Sequence, residues 1–315
     1  MTDMGAIAVR LGLYLDLMAL FGLAAFALYA LRGEERRFNG AVALGPWLWG
    51  SVALGAVLSL AGLAMLAAGM AGVPLASVDL ASLEMILGGA SVGTAWLVRM
   101  AALLIALVAI FALRKRAALA LSLIMVAAAT ALASLAWAGH GAMDEGAVGW
   151  LHLVADIVHL WAAGIWVGAL LALMLLVFRR RASLDRAHLV LSYRVLDGFS
   201  LIGTITVGAI IVSGVVNSWL LVGPANVLKL PESLYGQLLI AKLALFGAMT
   251  GLAAANRFRL VPAFERSLEA ADHVKALQAL RRSLTIETGC AIAVLALVAW
   301  LGTLEPPASA MGLQG

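Results

Sequence analysis

Eight apolar runs, each about twenty residues or longer, limit what this chain can fold into. At about 1.5 Å rise per residue, each run is long enough to cross ~30 Å of hydrocarbon as an α-helix. They fall at roughly 10–31, 47–71, 95–113, 117–138, 150–178, 198–222, 236–256 and 284–304. Charged residues make up 12% of the 315, about half the fraction usual in a soluble domain. Backbone inside lipid must satisfy its own hydrogen bonds, which leaves helices for runs of this length. The expected fold class is all-α: a polytopic membrane protein with about eight transmembrane helices in a single integral membrane domain. Its expected halves are 1–138 and 139–315, four helices each.

The basic residues alternate between connections. Arg32, Arg36 and Arg37 lie in 32–46, and Arg114, Lys115 and Arg116 form the next basic turn. Arg179, Arg180, Arg181, Arg186 and Arg194 lie in 179–197. Arg257, Arg259, Arg266, Lys275, Arg281 and Arg282 lie in 257–283. By the positive-inside rule these connections face the cytoplasm, and both termini are then periplasmic. The basic excess is thus a topology signal, and no nucleic-acid partner is expected; the partner of the apolar surface is the lipid bilayer. Trp96, Trp137, Trp150, Trp219 and Trp300 fall near the outer helix ends, where indoles favour the interface. In 257–283 the apolar positions Phe264, Leu268, Ala271, Leu277, Leu280 and Leu284 predict a helix lying on the inner surface. Cys290 is the only cysteine, so no intrachain disulfide is possible. The first apolar run is too long for an ordinary leader h-region, and no cleaved leader is expected.

Ionisable groups inside apolar runs are costly, at about 2.5–3.5 kcal/mol on insertion scales, and normally face protein or water. The fifth run, "GWLHLVADIVHLWAAGIW", carries His152, Asp156 and His159 at i, i+4 and i+7, on one helix face. Asp16, Arg99 and Lys242 sit at similar depth in three other runs, roughly 5–15 Å below the outer surface. A shared polar cluster reached from outside is expected, with Arg99 and Lys242 balancing Asp16 and Asp156. Glu287 stands apart, near the inner end of the last run.

The preceding loop, "AGHGAMDEGAVGW", adds His140, Met143, Asp144 and Glu145. Imidazole is the commonest protein metal ligand, thioether favours Cu(I), and mixed nitrogen and oxygen donors favour Cu(II). The expected metal ligands are His140, Met143, His152, Asp156 and His159. The competing reading makes the histidines helix-to-helix hydrogen bonders and Asp156 the ion-pair partner of Lys242 or Arg99. Met18 and Met249 read as packing residues, and His188 and His273 as solvated cytoplasmic side chains. Asn217 fits either a pathway lining or a helix cap. The sequence has no zinc-protease His-Glu-x-x-His and no phosphate-binding glycine loop, and no enzyme activity is expected.

"GH" followed by "LHLVADIVHLWAAGIWVGAL" resembles the copper resistance protein D (CopD) family of bacterial inner-membrane proteins, through Gly139, His140, His159, Trp166 and Gly168. "LYGQLLIAKLALFGAMTGLAAANRFRLVPAF" resembles its seventh span, through Tyr235, Gly236, Lys242, Asn256, Arg257 and Pro262. "LRRSLTIETG", with Arg281, Glu287 and Gly289, resembles the start of its last. The resemblance covers about 139–305 closely and 1–138 in span count. It implies copper uptake across the inner membrane for homeostasis or resistance, with His140 and His159 as ligands. It also implies a separate periplasmic copper-binding partner of the CopC type. Two other functions compete. One is a b-type haem electron-transfer protein, which needs histidines on facing helices. The other is a copper-insertion or assembly factor without transport.

Overall fold

The computed structural model describes residues 4–89, 91–138, 146–178, 186–269 and 274–308. Among them are ten α-helices and no strand: α1 Met4–Ala30, α2 Leu44–Ala71, α3 Leu80–Gly89, α4 Ser91–Ala112, α5 Ala117–Ala133, α6 Gly146–Val177, α7 Arg186–Val222, α8 Leu234–Ala255, α9 Val261–Glu269 and α10 Val274–Leu301. Eight helical stretches are long and apolar enough to cross a membrane, and the protein is a multi-pass membrane protein. α3 is additional, folding inside the connection 72–94, where Ile86 packs on Leu63 and Ala67 of α2.

α1 is the hub. It packs against α2, α5, α6 and α10, and is buried on every side from Leu20 to Ala27. Its closest neighbour is α6, and glycines make that approach possible. A Cβ on Gly22 would overlap the Gly164 carbonyl oxygen, and one on Gly168 would overlap the Gly22 backbone. Lipid tails are as apolar as leucine, so helices in a bilayer gain from close backbone packing at small residues spaced four apart. Gly164 and Gly168 supply that spacing.

The basic connections also hold helix ends. Arg36 donates to the last carbonyls of α1, from Nε to Ala27 O at 3.0 Å and Leu31 O at 2.7 Å, and from Nη2 to Leu28 O at 2.7 Å. A cation there satisfies orphan acceptors and faces the negative end of the helix dipole. Arg194 Nη2 on α7 donates to both Glu35 carboxylate oxygens, at 2.6 and 2.7 Å.

Two sequence expectations change. The segment 264–284 is not one surface helix. α8 continues through a single π turn, Asn256–Leu260, into α9, and α10 begins at Val274. Phe264 and Leu280 are fully buried, because α9 packs on α7 and α10 and its apolar face meets protein. His188 is likewise buried, 6% exposed, with Nε2–H donating to Leu176 O at 2.9 Å. It ties α7 to the end of α6. His273 lies outside the described residues.

Candidate functional site

The α6 period presents His152, Asp156 and His159 along one side, and α7 meets it with Ser213 and Asn217, also four residues apart. Asn217 Nδ2 donates to Asp156 Oδ1 at 2.6 Å. Asp156 Oδ2 lies 4.0 Å from Nε2 of His152, which is 1% exposed. His159 Nδ1 is 3.0 Å from Ser213 Oγ, whose own hydrogen goes to Ala209 O at 2.6 Å. That order assigns the imidazole proton to Nδ1, leaving the Nε2 lone pair for another partner.

α8 closes the site with Tyr235 and Lys242, and α1 with Arg10 and Tyr14. Lys242 acts electrostatically on Asp156 without a contact ion pair. The Arg10 guanidinium lies where a Cβ on Gly302 would be. A glycine there lets the cation sit on the C-terminal end of α10, a favourable place for positive charge. Together these groups enclose a polar pocket of about 160 Å³. It lies at the end of the bundle that carries the start of α1 and α6 and the end of α7 and α10.

Two further cavities are joined to it in sequence by shared lining residues. One of about 580 Å³ lies among α6, α7, α8 and α10, shares Tyr14, His159 and Lys242 with the polar pocket, and is lined by Met18 and Met249. A third, of about 290 Å³, lies toward the opposite end and is lined by Asp197, Asn256, Arg257 and Glu287. Trp166 lines both of these and is 2% exposed. Its indole packs edge-on against Phe199, centroids 6.3 Å apart.

The single cluster expected from helix depth does not form as a whole: Asp16 and Arg99 stand apart from it. Asp16 is two residues beyond Tyr14, about 200° around α1, and faces α2. There its Oδ2 lies 2.7 Å from a Cβ built on Gly55, with Ser51 beside the carboxyl. Arg99 is buried on α4 and lines none of the three cavities. Asp16 and Arg99 therefore do not join His152, Asp156, His159 and Lys242. Equal depth carried no information about direction around the helix.

His140 and Met143, with Asp144 and Glu145, lie outside the described residues. Among those described, no three His, Cys, Asp or Glu side chains group as metal ligands. His152 approaches Asp156, and His159 turns one helical turn deeper to Ser213. A haem held by two histidines would need them on facing helices, whereas His152 and His159 share α6 and His188 is bonded to Leu176 O at the other end. Sequence reasoning did not single out Arg10, Tyr14 or Ser213; its reading of Met18 and Met249 as packing residues holds, since both are buried in the hydrophobic core while also bordering the apolar cavity. The spacing of Ser213 and Asn217 in "IIVSGVVNSW" was the available signal.

Residues 1–150 match the family model described as copper resistance protein D-like, N-terminal domain, and residues 193–301 match the model described as copper resistance protein D. The chain is 46% identical to "Copper resistance protein D" of Pseudomonas syringae pv. tomato over 97% of its own length and 98% of that protein. It is 31% identical to "Inner membrane protein YebZ" of Escherichia coli over 55% of each chain. It is 30% identical to "Copper transport protein CutJ" of Bacillus subtilis over 56% of this chain and 29% of that one. No solved structure matches.

Proposed function

The chain belongs to the copper resistance protein D family, and from that premise we propose that it moves copper ions across the bacterial cytoplasmic membrane, serving copper homeostasis or resistance. The observation that carries this reading is the succession of three cavities that share lining residues, the first two His159 and Lys242 and the last two Trp166. Copper is the cargo, not a resident cofactor, and the chain acts as a transporter, not an enzyme. The polar pocket faces the periplasm, both termini lie on that side, and the basic connections face the cytoplasm.

His159 Nε2 is the deepest of the three α6 donors, with Ser213 fixing the ring. A hydrogen bond on the other ring nitrogen commonly orients a metal-binding imidazole in this way. His152 and Asp156 stand above it, and His140 and Met143 in the adjoining loop complete the entry ligands. Met18 and Met249 then line the apolar cavity with thioethers, which suit Cu(I). A small periplasmic copper-binding protein of the CopC type delivers the ion at this end.

Uptake of radioactive copper into proteoliposomes tests the reading. The wild type accumulates copper, and His159→Ala, inserted at equal level, does not. Equal accumulation in both removes His159 from the pathway. An assembly factor that binds copper without moving it would show binding and no accumulation in either.

A further inference from the structure

The end of the bundle opposite the polar pocket holds a second polar centre, built from different chemistry. Glu287 on α10 is 3% exposed and Asn256 is 8% exposed. Asn256 Nδ2 donates to Glu287 Oε2 at 2.9 Å. The Trp166 indole N–H is directed at the same carboxyl, without a hydrogen bond of normal geometry. The remaining amide oxygen, Asn256 Oδ1, is buried with no donor. Leaving a buried acceptor empty is destabilising, and such groups call for a ligand or water to explain them.

The backbone has a matching irregularity. Asn256 opens the π turn Asn256–Leu260. A π turn is rare, occurs mostly as a single turn inside a longer helix, and is frequent at functional sites. Here it leaves Asn256 buried against α10 while Arg257 and Phe258 remain exposed. The adjoining cavity, about 290 Å³, has ample room for water beside the carboxyl and reaches the exposed Asp197 and Arg257.

The donor set selects the ligand. The described residues lining this cavity include no His, Met or Cys, so copper would find none of its usual soft or imidazole ligands. One buried carboxylate and one amide oxygen fall short of the six or more oxygens a hard divalent cation takes. A proton needs one carboxylate oxygen and a hydrogen-bond acceptor. We propose that Glu287 is a proton-binding carboxylate that exchanges with water at the end of the bundle opposite the polar pocket. In the forward step hydronium gives a proton to a Glu287 carboxylate oxygen and leaves as water; the reverse returns it. Asn256 Oδ1 accepts a hydrogen bond from the carboxyl or from the delivering water.

The other charged groups facing this cavity are Asp197 from α7 and Arg257 from the π turn. Arg257 is engaged with Thr204 Oγ1, and with Ser200 O at 3.3 Å. Among the described lining residues, α6, α8 and α9 add no charge, and α10 adds none besides Glu287. The link to cargo rests on the proposed copper transport: a proton on Glu287 changes the charge at the end of the pathway, so copper flux responds to pH on that side.

Infrared difference titration of the purified full-length protein, without copper, tests the site. The wild type shows a carboxylic-acid carbonyl band that grows on acidification. Glu287→Gln loses that band, Asn256→Ala shifts its midpoint, and Glu287→Asp retains a titrating band, which guards against misfolding. The same titrating band in folded Glu287→Gln overturns the proposal. Radioactive copper uptake into proteoliposomes, with pH varied on the Glu287 side alone, tests the coupling. Wild-type uptake varies with that pH and Glu287→Gln uptake does not; identical pH dependence in both overturns it. Wild-type vesicles that move no copper while the Glu287 band titrates contradict the transport reading and leave the proton site standing.

Discussion

His159 and Ser213 are joined across α6 and α7 by a 3.0 Å contact from Nδ1 to Oγ. Because Ser213 spends its own hydrogen on Ala209 O at 2.6 Å, it can only accept from the ring. The Nε2 lone pair is thereby presented to the cavities that His159 borders. Loss of such an outer hydrogen bond typically costs 10–100-fold in metal affinity. Ser213→Ala should weaken copper binding about tenfold, read by competition titration of the purified protein. Ser213→Thr, which keeps the hydroxyl, should stay near wild type.

Asp156 and Lys242 share a pocket without touching, so each offsets the other's charge. Lys242→Met and Asp156→Asn should each destabilise the protein in detergent. The double variant should recover part of the loss, with a coupling energy of about 1 kcal/mol in a double-mutant cycle. Strictly additive losses would mean the two side chains act independently.

Asp16 lies against α2 and Gly55, away from the polar pocket. Asp16→Asn should therefore leave copper stoichiometry unchanged, measured by metal analysis of the purified protein. Gly55→Ala places a methyl 2.7 Å from Asp16 Oδ2 and should lower thermal stability by about 1–3 kcal/mol, as overpacking does. A copper deficit in well-folded Asp16→Asn would return that residue to the pathway.

The α1–α6 crossing leaves no room for side chains at Gly22 or Gly168. Gly168→Leu should force these two helices apart and sharply reduce folded yield. Gly289→Ala has open space at the Cβ position and should be tolerated. Fluorescence-detected size exclusion separates the two outcomes.

Much of the fold was legible because length and apolarity alone specify a spanning helix. Part of the site was legible for a related reason: His152, Asp156 and His159 share one helix, and helical spacing fixes their common face. What periodicity could not supply was the direction of Asp16 on α1. Around Asp16 almost every face of that helix is apolar, and from Leu20 to Ala27 it is buried all round, so no apolar stripe marks which side meets which neighbour. Ser213 and Asn217 were hidden for a similar reason. Small polar residues are common in membrane helices, and only the facing helix reveals their partners. The burial of His188 depended on the tertiary position of α6's last turn, which no local pattern encodes.

The central claim is that copper enters through the pocket containing His159 and not past Asp16 on the α2 side of α1. Radioactive copper uptake into proteoliposomes carrying wild type, His159→Ala or Asp16→Asn, each verified as folded, tests it most directly. The account predicts accumulation in the wild type and Asp16→Asn and background uptake in His159→Ala. Full uptake by His159→Ala, or background uptake by folded Asp16→Asn, would contradict it.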